Sequence, residues 1–467
     1  MASFSEEDLA GLTMGLRGKL LRPGDGGYDE ARRVYNGMCN KQPGAIIRVH
    51  TTGDVVEAVR FAAANDLVLA VRGGGHSVAG KSSCEGGLLI DMSQLSGVHL
   101  DRKNNTVIVQ GGATWGDVDA ETQPFGLAVP GGVVSETGVG GLTLNGGIGW
   151  LRNKYGLSCD NMISAEVVTA SGEVVMASAA ENTELFWALR GGGGNFGIVT
   201  TFQFKAHPVG PMVQAAIPIY ALEDVATILP KWRDWVVAQP DEVTALAIPW
   251  TAPVSDHLPP PIQGKRVLIL GSVYAGDMAM GEKVMDGVRH LGTPLFDMSG
   301  PIPFRALQGA FDPFFPVDGT VSSYWKAAYT KELTDGALDV IVDAALNRTS
   351  EYSLINVSHM GNGVRKVPAS ETAYLDRDAH FIVSMDANWL DKSPGAEHIA
   401  WARRTFDRLQ PFSTGGIYLN FLGEEGRDSD ASVKQAFGAN YQRLVDVKTK
   451  YDPKNLFRLN QNIKPHE

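Results

Sequence analysis

A glycine triplet followed at once by a histidine, Gly73-Gly74-Gly75-His76, is the part of this chain whose residue types point most directly to chemistry. Arg72 precedes the triplet and Ser77 follows the histidine. Glycines allow backbone N–H groups to come close to a ligand, and successive amides in such a turn form a concavity for anions. The pattern favours a diphosphate site, with an ordinary glycine-rich turn as the alternative. Neither explanation needs the histidine.

The residues before this loop predict a β-α-β unit that ends in it. Residues 45–49 and 67–71 are apolar runs typical of strands. Between them, apolar residues recur at helical spacing after Asp54, which we expect to cap the helix. The glycine loop therefore lies at the end of a buried strand, where a backbone cradle can be held in place.

The 54 glycines are not spread evenly but concentrate at residues 73–75, 111–112, 131–149 and 191–197. Such clusters indicate that several loops bring their backbone close to one object. Residues 192–197 match the dinucleotide pattern G-x-G-x-x-G. That pattern should follow a strand and open a helix, whereas here a predicted helix precedes it and a strand follows. We therefore exclude an NAD site of the Rossmann type.

Length and composition limit the class of protein. A chain of 467 residues is long enough for two domains. With a net charge of −11 and no basic run, nucleic acid and anionic membranes are not expected as partners. No signal peptide or long apolar run is present, which predicts a cytoplasmic protein. The three cysteines form no metal-binding pattern, and no metal is expected.

Beyond residue 208 the glycine clusters end and strand patterns alternate with amphipathic helices. We predict strands at 267–271, 354–357, 381–389 and 416–421, and a helix over 433–451. The tail after this helix should return to the first half of the chain. The predicted domains are residues 1–207 for ligand binding, 208–425 for the substrate, and 426–467 as a segment that completes the first domain.

Six motifs follow one another along the chain: Arg72-Gly-Gly-Gly-His76-Ser77, Gly140-Gly-Leu-Thr-Leu-Asn-Gly-Gly147, Lys154-Tyr-Gly-Leu157, Asp160-Asn161, Gly191–Gly197 and Tyr451–Asn462. Together they resemble the vanillyl-alcohol-oxidase/berberine-bridge-enzyme family of FAD-linked oxidoreductases, and within it the bacterial 6-hydroxy-D-nicotine oxidase branch. The resemblance implies an α+β, two-domain FAD-binding PCMH-type fold. In that fold two α/β subdomains bind FAD, and a substrate domain of antiparallel sheet is covered by helices.

The resemblance also implies that the ring of His76 is joined to the 8α methyl carbon of the flavin. The residues implied to contact FAD are His76, Arg72, Gly73, Gly74, Gly75, Ser77, Gly140, Gly141, Leu142, Asn145, Gly146, Gly147, Gly149, Asn195, Gly197, Val199, Asn460 and Asn462. Many members add a second bond through a cysteine, whose place falls near Val134 here. Cys159 lies outside that motif position and is interpreted as a buried small residue, so a single covalent link is expected.

Three residues are candidates for the chemistry by the same resemblance. Gly416–Phe421 matches a family strand, which makes Tyr418 the candidate base or hydrogen-bond partner and Asn420 the residue that orients it. Asn356 occupies the place where members often carry a carboxylate. This difference puts a carboxylate-assisted mechanism in doubt. Because Val78 replaces a tyrosine found in sugar oxidases, a sugar is less favoured as substrate.

These features predict an FAD-dependent oxidase that takes hydride from a small hydrophobic amine or alcohol and passes electrons to O2, giving H2O2. The alternatives are a flavin-dependent dehydrogenase, an oxidative cyclase of a biosynthetic pathway, or a carbohydrate oxidase. A non-enzymatic nucleotide-binding module is a further alternative. The expected partners are a small-molecule substrate and O2, with the protein a monomer or homodimer.

Overall fold

The structure is a computed structural model that describes residues 6–390, 393–424 and 429–466. The strands of the first half are, in chain order, β1 Lys19–Leu21, β2 Ala45–Arg48, β3 Leu69–Arg72, β4 Leu88–Asp91, β5 Val98–Asp101, β6 Thr106–Gln110, β7 Leu127–Ala128, β8 Met162–Val168, β9 Val174–Ser178, β10 Ile198–Lys205 and β11 His207–Pro208. Those of the second half are β12 Met212–Ala216, β13 Pro218–Ala221, β14 Val243–Thr251, β15 Arg266–Tyr274, β16 Phe296–Asp297, β17 Gly300–Pro303, β18 Ser322–Thr330, β19 Leu354–His359 and β20 Phe381–Trp389.

The helices are α1 Glu6–Gly15, α2 Tyr28–Ala31, α3 Thr52–Ala64, α4 Trp115–Thr122, α5 Val139–Leu144, α6 Arg152–Tyr155, α7 Thr183–Leu189, α8 Val225–Val236, α9 Met278–Arg289, α10 Phe304–Gln308, α11 Asp335–Leu346, α12 Asn362–Arg365, α13 Ala396–Leu409, α14 Ser429–Phe437 and α15 Tyr441–Tyr451. This mixture of helices and sheets confirms the α+β fold class that the sequence predicts.

The first sheet places the glycine triplet at the end of a buried strand. Its order is β1-β2-β4-β3, with β2, β4 and β3 parallel. Helix α3 connects β2 to β3, so the predicted β-α-β unit is confirmed. Thr51, rather than Asp54, is the N-cap of α3, because Asp54 sits three residues further on and completes a capping box with it.

The second sheet is antiparallel, with the order β5-β6-β10-β8-β9. Strands β8 and β9 pair antiparallel on either side of Ser171 and Gly172. Residues 192–197 lie between α7 and β10, in the reversed order that the sequence indicates. The two sheets hold the four glycine clusters at the ends of strands and in the loops beside them.

The second half of the chain forms one antiparallel sheet of nine strands. Its two faces bury different residues, as the alternation along β14 shows. Ala245 and Ala247 belong to the core beneath helices α8, α9, α11 and α13. Leu246 and Ile248 point to the other face, where the core includes Trp150 from the first half of the chain. The sheet therefore has helices on one side and the glycine-rich half on the other.

Helix α6 joins the two halves. The guanidinium of Arg152 is buried and donates to the carbonyls of Gly149, Ala245 and His359, at 2.8–2.9 Å. Asn153 donates to the carbonyl of Val243 at 2.7 Å. Because these carbonyls lie on β14, β19 and the loop before α6, the short helix fixes the sheet relative to the glycine-rich loops.

Two predicted elements of the last third differ in the structure. Residues 416–421 are not a strand, because Phe421 N donates to Tyr418 O and Leu419–Phe421 forms a 3-10 turn. The predicted helix over 433–451 is two helices, α14 and α15, separated by a 3-10 turn at Gly438–Asn440. The return of the tail to the first half is confirmed by hydrogen bonds to Asn195. The predicted domain boundary at 425–426 lies outside the described residues.

Searches for membrane spans and metal sites cover only these described residues. In residues 6–390, 393–424 and 429–466, no helix has the length and apolar character needed to cross a membrane. The same ranges hold no group of three or more His, Cys, Asp or Glu side chains that could bind a metal ion.

Candidate functional site

A cavity of about 320 Å³ lies between the glycine-rich half and the nine-stranded sheet. We call its glycine-rich wall the floor, formed by some of the residues in each of the segments 73–82, 133–148, 193–199 and 457–461. We call the opposite wall the roof, formed by side chains on the sheet face that helices do not cover and by aromatic residues from the loops beside it. The roof side chains on strands are Leu246, Ile248, Trp325, Leu354, Asn356 and Asp386.

Glycine serves two different purposes in the floor. At Gly74 a Cβ would lie 2.3 Å from Gly138 N, so glycine is required for two loops to pack backbone against backbone. At Gly141 a Cβ would meet nothing within 4 Å, and at Gly73 it would meet only Gly111 O at 3.7 Å. Because Gly73 and Gly141 line the cavity, side chains there would take up space that a ligand could fill.

His76 lies in the cavity wall and makes no hydrogen bond to any residue within the described ranges; its Nε2 is buried without a partner. Burial and the nearby charge of Arg72 lower the pKa of His76 to about 4. The imidazole is therefore neutral at physiological pH and keeps a nitrogen lone pair. A neutral imidazole without a protein partner is available to a ligand in the cavity.

Arg72 and three of the predicted glycines lie behind the floor. The guanidinium of Arg72 pairs with the buried Asp91 at 3.2 Å and donates to the carbonyl of Arg33. Gly146, Gly147 and Gly149 allow close packing, because a Cβ at each would lie 2.8 Å or less from a neighbouring atom. The structure gives these residues a supporting role, and their direct contact with a cofactor stays a prediction.

The other predicted floor residues line the cavity. They are Gly73, Gly74, Gly75, Ser77, Gly140, Gly141, Leu142, Asn145, Asn195, Gly197, Val199 and Asn460. Asn460 donates to Gly194 O at 2.9 Å, and Asn195 donates to Gln461 O at 3.1 Å. The C-terminal tail thus closes one end of the floor, while Asn462 lies behind it with a buried, unpartnered Oδ1.

A buried ion pair braces this end of the floor. Lys448 and Asp452 are fully buried and 2.6 Å apart. Lys448 also donates to Asn195 O at 2.8 Å, and Asp452 accepts from the backbone of Leu456 and Phe457. Because both charges are paired and hydrogen-bonded, the loop that carries Asn195 is held rigidly against the tail.

The two positions considered for a second covalent link differ in location, since one lines the cavity and the other does not. Val134 lines the cavity, as the resemblance implies for the missing cysteine. Cys159 is completely buried in the cluster of Tyr329 and Tyr418, outside the cavity wall, and burial raises the pKa of its thiol well above the usual value. This environment agrees with the interpretation of Cys159 as a buried small residue.

The roof contains a carboxylate that sequence reasoning missed. Asp386 on β20 lies opposite Trp325 on β18 and opposite Leu354 on β19, so all three point to the cavity face. Its Oδ1 is buried without a partner among the described residues, and burial raises the pKa of Asp386 to about 7. The doubt about a carboxylate-assisted mechanism rested on Asn356 alone and did not take this second roof position into account.

Asn356 is in the roof as predicted, two residues from Leu354 on the same face of β19. Its Oδ1 accepts a hydrogen bond from Ser358 at 3.0 Å, which leaves the amide group free to donate. The sequence therefore pointed to Asn356 on β19 as a roof residue, but it did not show that Asp386 on the neighbouring strand β20 lies on the same face. Only the register of β19 and β20 brings the two strands' polar side chains to one face.

Aromatic residues make most of the roof apolar. Phe311, Phe315 and Phe421 join Trp325 around the cavity. Phe315 and Phe421 both meet Trp325 edge to face, with ring centroids 6.1 and 5.5 Å apart. Two other aromatic residues of strands β18 and β20 do not line the cavity, since Tyr329 bonds to Tyr374 at 2.6 Å and Trp389 belongs to the core under the helices.

Tyr418 and Asn420 meet at the junction of floor and roof. Tyr418 Oη accepts hydrogen bonds from Ile148 N at 3.2 Å and from Asn420 Nδ2 at 3.0 Å. Asn420 also donates to Leu142 O at 3.1 Å. Burial raises the pKa of Tyr418 to about 12. With two donors on its oxygen, the protonated hydroxyl points its own hydrogen to a further acceptor, so it acts as a hydrogen-bond donor.

Comparison with known proteins assigns this arrangement to a family. The FAD binding domain family matches residues 43–178, and the berberine and berberine-like family matches residues 418–464. The FAD-linked oxidoreductase pgmH of Aspergillus terreus is 39% identical over 485 residues, covering 97% of this chain and 95% of that protein. (R)-6-hydroxynicotine oxidase of Paenarthrobacter nicotinovorans is 29% identical over 471 residues, covering 97% and 98%.

A solved structure shows the same similarity in three dimensions. The crystal structure of 6-hydroxy-D-nicotine oxidase from Arthrobacter nicotinovorans aligns with a TM-score of 0.85 and 27% identity, covering 97% of this chain and 98% of that one. Fold and site therefore define a two-domain flavin-dependent oxidoreductase. The chain belongs to the vanillyl-alcohol-oxidase/berberine-bridge-enzyme family of FAD-linked oxidoreductases.

The residues of the floor fit FAD. Gly73 and Gly141 leave open space beside backbone that a Cβ would fill, and His76 offers a neutral ring without a partner. The floor is long and made largely of small residues from four separate segments, which suits an extended dinucleotide. Lys81 supplies a cation in the same wall, 3.3 Å from Glu424.

Proposed function

We propose that this protein is an oxidase with a covalently bound FAD, linked singly through His76, that oxidises a small hydrophobic amine or alcohol. The observation that carries the proposal is the cavity itself, which has an amide-lined floor on one side and an apolar roof with one carboxylate, Asp386, on the other. Relatives named as oxidases of hydroxynicotine support this class of reaction.

When bound, FAD would accept a hydride from the substrate and pass two electrons to O2, giving H2O2. The floor residues would hold it, with His76 joined to the 8α methyl carbon and the amides of the glycine loops facing the rest. The pKa of His76, lowered to about 4, keeps the ring in the neutral form that such a bond requires.

Asp386 is the residue we assign to proton removal from the substrate. Its pKa of about 7 lies near the working pH of most enzymes, where a general base is most effective. Oδ1 has no partner among the described residues, so a substrate O–H or N–H can donate to it without breaking another bond. Asn356, on the adjacent strand, can donate its amide to a substrate oxygen or nitrogen.

Tyr418 is assigned a positioning and hydrogen-bonding role. Its pKa of about 12 keeps the hydroxyl protonated, so it donates rather than accepts a proton at neutral pH. Asn420 and Ile148 N fix the direction of that donation. Of the two roles considered from the sequence, base or hydrogen-bond partner, the surroundings of Tyr418 favour the second.

The roof favours an apolar substrate over a sugar. Four aromatic side chains and three aliphatic ones surround Asp386 and Asn356, and a polyhydroxylated ring would leave most of its hydroxyls without partners there. A compact aromatic or alicyclic amine or alcohol would bury its apolar surface against Trp325 and present a single polar group to Asp386.

The test is anaerobic bleaching of the bound flavin with matched panels of hydrophobic amines, benzylic alcohols and oligosaccharides, followed by measurement of H2O2 in air. Bleaching by amines or benzylic alcohols with one H2O2 formed per turnover supports the proposal. Reaction with oligosaccharides alone would contradict the substrate class. Turnover that needs an artificial acceptor and forms no H2O2 would identify a dehydrogenase.

A further inference from the structure

The orientation of the His76 ring is set by packing. The Nε2 atom of the imidazole is buried and has no hydrogen-bond partner in the described part of the chain. The aromatic ring beside it is that of Tyr35, with centroids 5.7 Å apart and planes inclined by 12°. An offset, nearly parallel pair of this kind restricts rotation of the imidazole about its Cβ–Cγ bond.

Tyr35 is itself held in place by two hydrogen bonds and by burial of its ring. Its backbone N donates to Gly75 O at 3.0 Å, the residue just before His76. Its ring is only 1% exposed, and Oη lies 3.1 Å from Ser323 Oγ. A ring that is buried and tied at both the backbone and the hydroxyl has little freedom, so it can serve as a fixed surface for the imidazole.

The same contacts continue to the roof. Ser323 donates to Asn388 Oδ1 at 2.8 Å, and that oxygen also accepts from Trp325 Nε1 at 2.8 Å. Tyr35 and Trp325 meet with ring centroids 5.8 Å apart. Tyr35 therefore lies behind both His76 in the floor and Trp325 in the roof, and its position depends on both walls.

Asn36 locks this segment between the two halves. Its Nδ2 donates to Val78 O at 2.6 Å in the floor loop and to Ser323 O at 2.8 Å on β18. Its Oδ1 accepts from Ser323 N at 3.0 Å. These bonds hold residues 35 and 36 between the floor and the roof. Both residues lie outside every motif identified in the sequence.

We propose that Tyr35 is the positioning residue that orients the imidazole of His76 for its bond to the flavin. This inference rests on the covalent link of the proposed function. The bond joins a ring nitrogen to the 8α carbon in place of one methyl hydrogen. The imidazole N–H proton, the methyl proton and two electrons leave, and O2 accepts them as H2O2. A ring free to rotate would present its nitrogen to that carbon less often.

The experiment follows covalent attachment directly. Apoprotein from riboflavin-starved cells is mixed with FAD in air, and flavin fluorescence bound to denatured protein is measured over time. Tyr35→Leu, which removes the flat ring, should slow attachment at least tenfold. Tyr35→Phe keeps the ring and should attach FAD within about threefold of the wild-type rate. Tyr220→Leu removes another buried tyrosine, far from His76, and serves as the control for loss of stability.

A second comparison shows whether Tyr35 acts through His76. In a His76→Ala background, Tyr35→Leu should change the noncovalent affinity for FAD less than twofold, because the ring it positions is absent. A tenfold loss of affinity there, or attachment by Tyr35→Leu at the wild-type rate, would overturn the inference alone. If wild-type protein attaches no FAD, the covalent link in the proposed function is wrong and the inference falls with it.

Discussion

The floor and the roof of the cavity are built in opposite ways. The floor exposes backbone to the cavity, because glycines such as Gly73 and Gly141 have no side chain to cover it. The roof presents side chains from several strands, such as Leu246 on β14, Trp325 on β18 and Asp386 on β20, which lie tens of residues apart along the chain. In the proposed function, the main chain of the floor would bind the cofactor and the side chains of the roof would bind the substrate.

This difference predicts that the floor and the roof should respond differently to substitution. A loop that approaches a ligand through its amides depends on local sequence, and a single Cβ can obstruct it. A sheet face accepts new side chains while its hydrogen-bonded ladder keeps the same geometry. The roof is therefore where substrate preference can vary among proteins that share one floor. The following predictions test that division, from the largest expected effect to the smallest.

His76→Ala should abolish covalent flavin completely, because the imidazole is the only proposed link. Acid-precipitated wild-type protein should stay yellow, whereas the variant should release its flavin into the supernatant. Cys159→Ala is the matched control and should keep the colour, since Cys159 is buried outside the cavity wall. Release of flavin by the cysteine variant instead would reverse the assignment.

Asp386→Asn should lower kcat/KM by about 10²–10⁴-fold, the usual contribution of a general base, while flavin content is unchanged. Burial raises the pKa of Asp386 to about 7, so ionisation of the carboxyl costs stability as pH rises from the ordinary aspartate pKa of about 4 to about 7, and the full cost is present above 7. The asparagine variant should therefore be more stable than the wild type at pH 8, by about 1 kcal/mol or more. Asp119→Asn is the control.

Asp119 is also buried, with a pKa raised to about 7, but it is bound to Gln308 away from the cavity. Its substitution should leave turnover unchanged while raising stability in the same pH range. Equal losses of turnover in the two asparagine variants would show that the effect of Asp386→Asn is structural, which would remove the roof carboxylate from the mechanism.

The pH dependence should identify the same group. With an alcohol substrate, which does not titrate in this range, kcat/KM should rise with pH and level off above about 7. Protonated Asp386 cannot accept a proton, so the rate should fall up to tenfold per unit below its pKa. Asp386→Asn should show no inflection near 7, and persistence of that inflection would assign it to another residue.

Tyr418→Phe should lower kcat about tenfold, the scale of one lost hydrogen bond in the reacting complex, with little change in flavin content. Tyr329→Phe is the control, because Tyr329 lies beside Tyr418 with ring centroids 6.4 Å apart but bonds to Tyr374 instead. Unchanged kinetics in Tyr418→Phe would leave the hydroxyl without a role in the reaction.

Gly141→Ala should have the smallest and most diagnostic effect. Gly141 lies in helix α5, where alanine stabilises a helix by about 1 kcal/mol over glycine, and its Cβ would meet no protein atom within 4 Å. The apoprotein should become more stable while its affinity for FAD falls severalfold, as measured by thermal unfolding and by titration. If Gly141→Ala raised both the stability of the apoprotein and its affinity for FAD, the floor at Gly141 would not be in contact with the cofactor.

Much of the floor could be predicted from the sequence, because its signals are contiguous. Residues 73–77 follow an apolar strand, and their cavity-lining positions agree with the prediction. Even here, Arg72 and Gly146 lie behind the wall, since a motif shows which residues share a loop but not which way each faces. The strand predicted at 416–421 is wrong, because the sequence pattern there does not reveal the hydrogen bond from Phe421 N to Tyr418 O that turns the chain.

The sequence was sufficient to predict the family, the kind of cofactor and the glycine-rich loops of the floor, because each of these depends on short stretches whose glycines and histidine are adjacent in the chain. The tertiary structure alone decided that Asp386, Trp325 and Leu354 stand in one row and that Tyr35 packs on His76. Such contacts arise from strand register and from packing between distant segments. Neither strand register nor packing between distant segments produces a periodic pattern or a local motif in the sequence.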